Sequence, residues 1–228
     1  MDARAVAQRR YSIFRRIFDL NLWGNCESVS GEGSTLERTA AIRSELPALL
    51  ARHGVRSMLD APCGDFFWMK EVALDVDSYI GADILPELIA RNIESHSSRQ
   101  RRFIVCDLVE DELPRADLVF CRDCLVHLSY AETRRALDNF RRSGATWLLT
   151  TTFSDRRDNH DIKTGEWRPI NLERAPYGFP PAAELINERC DEVDEVLGAF
   201  PDKSLGLWRL ADLPPMINVV ADVGPRRK

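Results

Sequence analysis

Three short apolar segments of the chain each end in an acidic residue. Asp60 ends the first in LDAPCGDF, Asp83 ends the next in GADI, and Asp107 ends the third in CDL. An acid that follows a glycine-containing turn by about 20 residues is placed to hydrogen-bond the hydroxyls of a ribose. Asp83 has this spacing from the turn that contains Gly64. The sequence therefore predicts a site for a nucleoside-bearing cofactor.

The turn after Asp60 argues against a dinucleotide. In the G-x-G-x-x-G fingerprint, the glycines allow the backbone to approach a pyrophosphate. This turn has only Gly64, with Pro62 before it and Phe66 after it. Proline fixes φ and removes a hydrogen-bond donor. We therefore expect a cofactor without a pyrophosphate. This expectation disfavours a nucleotide-dependent oxidoreductase.

A further segment, CRDCLVHL at residues 121–128, carries two side chains that can accept a proton. Asp123 and His127 are the candidate catalytic residues, because histidine titrates near neutral pH and a general base must lie close to the proton that it takes. Each residue also has a structural alternative. Asp123 could cap the helix that follows, and His127 could make a structural hydrogen bond.

The strand ends that carry these residues must meet in space, and the pattern of the chain indicates how. Short apolar segments without in–out alternation are interspersed with helical segments, which is typical of a parallel sheet covered on both faces. The predicted strands are 57–61, 78–84, 102–108, 116–123 and 146–153, and the segments 66–74, 86–96 and 130–142 are predicted as helices or helical turns. Two later segments, 183–190 and 203–212, are predicted to pair antiparallel at the sheet edge. We predict an α/β fold with a doubly wound, mostly parallel, seven-stranded Rossmann-like sheet.

Two regions fall outside this alternation. Residues 1–33 are predicted as a cap, made of a helix at 4–20 and a loop, on a domain at 34–228. In that helix the apolar residues share one face, and the arginines, Arg10 included, are expected mostly on the other. The S-x-x-E pattern that starts at Ser34 is a capping box, so the next helix is expected to begin there.

Residues 154–181 are polar and punctuated by proline and glycine, and a loop of this length is usually functional. We expect it to form a lid over a substrate; the alternative is that its aromatic residues only pack the loop down. Trp23 of the N-terminal loop is expected to close the other side of the site. The candidate substrate contacts are Trp23, His160, Trp167, Arg168 and Tyr177.

Composition excludes several classes of function. The formal net charge is −5 and no basic stripe is present, which disfavours a nucleic-acid partner. No apolar run reaches the roughly 20 residues of a membrane span, and no secretory signal is evident. We therefore expect a cytoplasmic protein with six reduced cysteines. Only Cys121 and Cys124 form a C-x-x-C pair, so no metal site is predicted, since structural zinc needs four ligands.

In order and spacing, LDAPCGDF, GADI, CDL and CRDCLVHL resemble motifs I to IV of the class I methyltransferases that use S-adenosylmethionine. The resemblance covers about residues 34–153. It implies a Rossmann-like methyltransferase fold, S-adenosyl-L-methionine as cofactor and a methyltransferase activity (EC 2.1.1.-). More loosely, SGEGST, GEWRPINL and DKSLGLW resemble segments of bacterial methyltransferases that act on saccharides or secondary metabolites.

The resemblance also implies roles for individual residues. Asp60 would lie near the ammonium group of the cofactor, and Asp83 would take the ribose hydroxyls. Asp107 would bind the adenine amino group, with Leu108 stacked on the base, and Arg122 would line the floor beneath the sulfonium. The full set of implied cofactor-binding residues is Asp60, Ala61, Pro62, Cys63, Gly64, Asp83, Ile84, Asp107, Leu108 and Arg122.

The acceptor is less closely defined. CRDC differs from the N/D-P-P-Y/F motif of the family members that methylate amino groups. We therefore expect a small-molecule acceptor with a hydroxyl, such as a sugar or natural product. The expected oligomeric state is a monomer or homodimer. Pro62 and Phe66 stand where the family usually has glycines. They favour one alternative, a cofactor-binding or degenerate regulatory subunit without catalysis.

Overall fold

A seven-stranded sheet organises residues 3–215, the part of the chain that the computed structural model describes. Four α-helices are described with it: α1 (Ala3–Asp19), α2 (Ala40–Arg52), α3 (Pro86–His96) and α4 (Tyr130–Arg142). The strands are β1 (Ser57–Asp60), β2 (Ser78–Asp83), β3 (Arg101–Val105), β4 (Leu118–Cys121), β5 (Trp147–Phe153), β6 (Glu184–Asn187), β7 (Val193–Asp194), β8 (Gly198–Ala199) and β9 (Lys203–Arg209).

The strand order is β3-β2-β1-β4-β5-β9-β6, and β7 and β8 form a separate two-stranded sheet. Strands β1 to β5 are mutually parallel, whereas β9 runs antiparallel to both β5 and β6. The order reverses between β1 and β4, where Asp60 is paired with Phe120. This is the point at which a doubly wound sheet opens a crevice for ligands. The predicted fold class and the antiparallel C-terminal pair are confirmed.

Two apolar clusters show that the sheet is covered on both sides. Neighbouring residues of a strand point to opposite faces, and here they alternate between the clusters. Leu59 and Val119 belong to one cluster, which also contains apolar residues of α4. Met58 and Leu118 belong to the other, which contains apolar residues of α2. Burial on both faces explains why the strands read as continuous apolar runs.

Helices α3 and α4 have their predicted bounds, and each strand of the large sheet lies within its predicted segment or starts one residue before it. Two other helical segments are shorter than predicted. Of the helix or helical turn predicted over 66–74, only a short 3-10 helix at Met69–Glu71 forms. The capping box at Ser34 was wrong, because α2 begins at Ala40. In the structure, Thr35 Oγ1 rather than Ser34 accepts a backbone N–H three residues on, from Arg38 at 3.3 Å. That bond stabilises a turn ahead of the helix.

The two regions outside the alternation are described as follows. The N-terminal helix is α1, and residues 154–181 contain no helix or strand beyond an isolated bridge between Thr164 and Glu166. Residues 216–228, the end of the predicted domain, lie outside the described residues. Within the described part of the chain, no helix has the length and hydropathy needed to cross a bilayer.

Candidate functional site

A cavity lies at the carboxyl ends of the parallel strands, beside the point where strand order reverses. Its floor is formed by residues that end β1, β2, β3 and β4, and α1 together with the loop after it contributes the opposite wall. All the residues implied as cofactor-binding line the cavity except Ala61. Both candidate catalytic residues, Asp123 and His127, line it as well. The structure therefore brings most of the predicted site residues to one cavity.

Asp83 ends β2 and is the best-placed hydrogen-bond acceptor of the cavity. It is 6% exposed. Its Oδ1 accepts the N–H of Leu85 at 3.0 Å, and its Oδ2 accepts the N–H of Gly64 at 3.3 Å. Burial raises the pKa of Asp83 to about 6, against the effect of these N–H donors. Each carboxylate oxygen keeps one lone pair, so the side chain can accept two further hydroxyl donors.

Asp60 is more deeply engaged with the protein. It is 3% exposed, and its carboxyl accepts the hydroxyl of Tyr79. Burial raises the pKa of Asp60 to about 8, so this group is mainly protonated at neutral pH. A neutral carboxylic acid is not a counter-charge for an ammonium group. That Asp60 lies beside the ammonium group of the cofactor therefore stays a prediction. In that position it would contact the ammonium as a neutral carboxylic acid.

The turn after β1 is closely covered by the N-terminal loop. Asp65 accepts the hydroxyl of Ser28 and the N–H of Val29, both at 3.0 Å. Gly64 has φ of +54°, and a Cβ there would collide with the hydroxyl of Ser30. Only glycine satisfies both constraints. Phe66, which stands where the family usually has a glycine, is 1% exposed in the apolar core and does not line the cavity.

Asp107 is already paired with a side chain of α1. Arg10 donates from Nε to Asp107 Oδ2 at 3.0 Å and from Nη2 to the same oxygen at 2.5 Å. The Arg10 guanidinium also contacts Glu110 at 3.3 Å and Glu132 at 2.5 Å. Arg10 is 2% exposed, so the expectation that it lies on the polar face of the helix was wrong. It is held inside by three carboxylates.

His127 is oriented by the segment that follows β5. Its Nδ1 lies 3.0 Å from the carbonyl oxygen of Glu166. A carbonyl can only accept, so Nδ1 carries the proton and Nε2 is left with a free lone pair when the ring is neutral. Partial burial lowers the pKa of His127, which favours that neutral form. The indole of Trp23 packs on the imidazole, with ring centroids 4.9 Å apart.

A buried group of four charges lies behind His127. Arg122 pairs with Glu188 at 2.7 Å, and Lys203 pairs with Asp123 at 2.8 Å. The two pairs touch, since Lys203 is 3.5 Å from Glu188. Burial opposes ionisation of Asp123, but the Arg122 and Lys203 charges outweigh it and lower its pKa. Asp123 is thus an ionised structural partner. Arg122 also donates to the carbonyl of Gly33 at 2.8 Å, which fixes the N-terminal loop.

Four predicted substrate contacts lie away from the cavity, and only Trp23 lines it. Arg168 is fully buried; it donates to the carbonyl of Leu128 at 2.6 Å and to the hydroxyl of Tyr177 at 3.1 Å. Trp167 packs edge-on against two phenylalanine rings, and His160 is exposed. The segment 154–181 therefore supports the loop that carries His127. This agrees with the alternative in which the aromatic residues of the segment pack it against the protein. Its main-chain amides at 165 and 168 donate to the carbonyls of 127 and 126.

Three charged residues of the site were missed by the sequence patterns. Arg10 had a signal, because it lies four residues before Phe14 and seven before Ile17, which is the spacing of one helix face. Arg10 lines the cavity together with these two residues, whereas Glu188 and Lys203 do not line it. Glu188 and Lys203 had none, because each follows or starts an apolar strand and pairs across a large sequence separation. Within the described residues, no cluster of metal-ligating side chains is found.

Comparisons with known proteins bear on the fold. No family model matches the chain, and no curated protein matches it. A S-adenosylmethionine-dependent methyltransferase from Clostridium acetobutylicum ATCC 824 matches with a TM-score of 0.53 and 9% identity, over 75% of this chain and 91% of that chain. The methyltransferase domain of bacterial CtHen1-CN matches with a TM-score of 0.50 and 13% identity, over 75% of this chain and 99% of that one.

A third solved structure is larger. Human N-acetylserotonin methyltransferase in complex with S-adenosylmethionine matches with a TM-score of 0.49 and 16% identity over 78% of this chain. This chain spans about half of it, 52% of its length. The strand order, the antiparallel β9 and the two broader matches agree on one architecture. The chain has the Rossmann-like fold of the class I S-adenosylmethionine-dependent methyltransferases.

Proposed function

We propose that the protein is a S-adenosylmethionine-dependent methyltransferase whose acceptor is a small molecule, methylated at a hydroxyl of a saccharide or a secondary metabolite. The observation that carries the proposal is Asp83. A buried carboxylate with one free lone pair on each oxygen ends β2 at the edge of the cavity. This is the place and the chemistry that a ribose diol requires.

The residues around Asp83 fit the rest of such a cofactor in part. The turn at Pro62–Gly64 and the loop over it would enclose the methionine end, because Ser30 and Ser34 line the same space. Leu108 and Val109 offer apolar surface to the base. Asp107, which the resemblance assigns to the adenine amino group, is already paired with Arg10. The cofactor supplies a methyl group that is activated by a positively charged sulfur.

The chain's own task is then to align the acceptor, exclude water and take one proton. His127 is the proposed base, because its Nε2 lone pair is fixed by the bond from Nδ1 to Glu166 and it lines the cavity. Asp123 is bound to Lys203 and Arg122 and holds the loop instead. We assign it a positioning role. Trp23, whose indole packs on His127, gives the acceptor end an uncharged, aromatic wall.

The proposal is tested by binding and then by turnover. Calorimetric titration with S-adenosylmethionine and S-adenosylhomocysteine is expected to give micromolar dissociation constants. A screen of hydroxylated sugars and natural products is then expected to release S-adenosylhomocysteine with at least one acceptor. A folded protein that binds neither cofactor form refutes the proposal.

One observation favours a second function, a cofactor-binding or regulatory subunit without catalysis. Arg10 occupies the carboxylate that the family resemblance assigns to adenine. Under this alternative the cofactor binds and no acceptor is methylated. Binding without S-adenosylhomocysteine release across the acceptor screen, in the presence of intact His127, supports it over the first proposal.

A further inference from the structure

Arg10 is the most deeply buried cation of the N-terminal helix. Its guanidinium is 2% exposed and lies among the carboxylates of Asp107, Glu110 and Glu132. We call these three residues the acidic socket. Glu110 is shared with Arg135, which pairs with its other oxygen. Burying a guanidinium costs free energy unless paired donors and acceptors compensate it. Three acidic partners do so here.

Most of the hydrogen-bonding capacity of Asp107 is taken up by Arg10. Oδ1 accepts the N–H of Val109 at 3.0 Å and the Nε of Arg10 at 3.1 Å. Oδ2 accepts Nε at 3.0 Å and Nη2 at 2.5 Å from the same arginine. The single Nε–H is shared between both oxygens, so three N–H donors occupy about three of the four lone-pair positions of the carboxylate. Two of those three donors come from Arg10, whose charge also pairs with that of Asp107.

The helix that Arg10 anchors is part of the cavity. Arg10, Phe14, Ile17 and Phe18 of α1 all line it, at the spacing of one helix face. The Arg15–Glu87 pair, a further charged contact of this helix, is weaker, because its side chains are 35% and 42% exposed and exposed ion pairs contribute little. Gly165 packs against Ile13, on the adjoining side of α1. The acidic socket is thus the buried anchor of this wall.

We propose that Arg10 is a positioning residue of the cofactor site: it holds α1 as the roof over the adenine end and reserves Asp107 for that purpose, so that Asp107 does not recognise the adenine amino group. This inference rests on the proposed function, because it takes the cavity as a S-adenosylmethionine site. It assigns Asp107 a task different from the one that the family resemblance implies. The adenine amino group is then read by another acceptor or left to solvent.

The first test compares Arg10→Met with Arg9→Met. Arg9 is the exposed neighbour on the same helix and serves as the matched control. In the protein without ligand, Arg10→Met is expected to raise amide hydrogen exchange in residues 3–19 at least tenfold, while exchange in the central strands changes less than twofold. Its dissociation constant for S-adenosylhomocysteine is expected to rise at least tenfold. Arg9→Met is expected to stay within twofold of wild type on both measures.

A conservative variant guards against simple loss of folding. Arg10→Lys keeps one charge in the acidic socket but cannot reach three carboxylates at once, since an ammonium is a single point charge. It is expected to fall between wild type and Arg10→Met in both exchange and affinity. If Arg10→Met and Arg9→Met bind S-adenosylhomocysteine equally well, Arg10 does not position the site and the inference is overturned.

The second test isolates Asp107. Wild type and Asp107→Asn are titrated with S-adenosylhomocysteine and with S-inosylhomocysteine, in which a carbonyl oxygen replaces the amino group. We expect Asp107→Asn to weaken both ligands by the same factor, because its effect acts through Arg10. A loss at least fivefold greater for the adenosyl ligand would mean that Asp107 reads the base, and would overturn the inference. If wild type binds neither ligand, the proposed function fails, and the exchange data alone then decide whether Arg10 holds α1.

Discussion

Replacement of Asp83 is the most direct test of the cofactor site, and its size follows from the geometry. The carboxylate already accepts two backbone N–H groups, from Leu85 and Gly64. Its remaining two lone pairs would accept the two ribose hydroxyls. Hydrogen bonds to a charged group contribute about 1.5 kcal/mol each at the lower end of their range. Loss of both in Asp83→Ala therefore removes about 3 kcal/mol, or roughly a hundredfold in the dissociation constant.

The assay is calorimetric titration with S-adenosylhomocysteine at pH 7.5, because that ligand does not react. Asp77→Asn is the matched control, since Asp77 immediately precedes β2 at the opposite end from Asp83 and pairs only with exposed Arg56 among the described residues. It should leave the dissociation constant within twofold of wild type. Asp83→Asn keeps the shape of the side chain and should lose at least tenfold. Circular dichroism and thermal unfolding verify that each variant is folded.

The pH dependence of ligand affinity provides an independent test of the same residue. The ribose hydroxyls need the ionised carboxylate, and burial raises the pKa of Asp83 to about 6. Affinity should therefore fall about tenfold for each pH unit below 6 in wild type and stay flat in Asp83→Asn.

The contribution of Asp83 to folding stability changes with pH in the opposite direction to its contribution to ligand affinity. A carboxyl whose folded pKa is raised from 3.8 contributes stability below 3.8 that is lost as pH rises through about 6. Protonation of Asp83 thus cannot account for a loss of affinity by unfolding. An Asp83→Ala protein that is folded and binds within twofold of wild type would refute the ribose assignment.

Three further predictions concern the acceptor end and its supports. His127→Gln should lower the turnover number at least a hundredfold without changing the affinity for S-adenosylhomocysteine. Burial lowers the pKa of His127, so wild-type turnover should fall on acidification through a pKa below 6.5. A flat pH–rate profile would contradict this. Lys203→Met leaves Asp123 and Glu188 with one cation, so urea unfolding should show a loss of about 3 kcal/mol, and an unchanged midpoint would count against the four-charge cluster. Arg168→Met removes its bonds to a carbonyl and a phenol and should cost about 2 kcal/mol in the same assay, with S-adenosylhomocysteine affinity retained; weakened binding would instead place Arg168 at the site.

The sheet and the floor of the site could be predicted from the sequence because their information is local. Each strand is a short apolar run that ends in a polar residue, and parallel strands joined by helices must bring their carboxyl ends to one edge. Asp60, Asp83 and Asp107 therefore had to lie together once the alternation of segments was recognised. Helices α3 and α4 were bounded by equally local signals, such as Pro86 at the first position of α3 and Ser129 at the N-cap of α4.

The walls of the site could not be predicted in the same way. Arg10 reaches Asp107 across 97 residues, and Lys203 reaches Asp123 across 80. Such pairs follow from where α1 and β9 dock on the sheet, and no spacing rule within the chain encodes that. The contacts of the segment 154–181 could not be predicted for a related reason. Its polarity and length indicated function, but its amides at 165 and 168 and its carbonyl at 166 hydrogen-bond the loop that carries His127.

Glu132 joins these two walls. The sequence Ser129-x-x-Glu132 is a capping box, and Ser129 does accept the N–H of Glu132 at 3.3 Å. The reciprocal bond is absent from its usual place, because Thr164 Oγ1 accepts the N–H of Ser129 at 3.1 Å instead. Glu132 is thereby released to bind Arg10 with one oxygen and the Thr164 hydroxyl with the other.

One carboxylate thus ties the roof over the adenine end to the segment that orients His127. Removal of its charge should loosen both parts together, whereas loss of the Thr164 hydroxyl alone should spare the roof. Glu132→Gln is therefore expected to raise amide exchange in α1 and in residues 161–168, and Thr164→Val only in the latter. Equal effects of the two variants on α1 would mean that the roof is held by packing and not by the acidic socket.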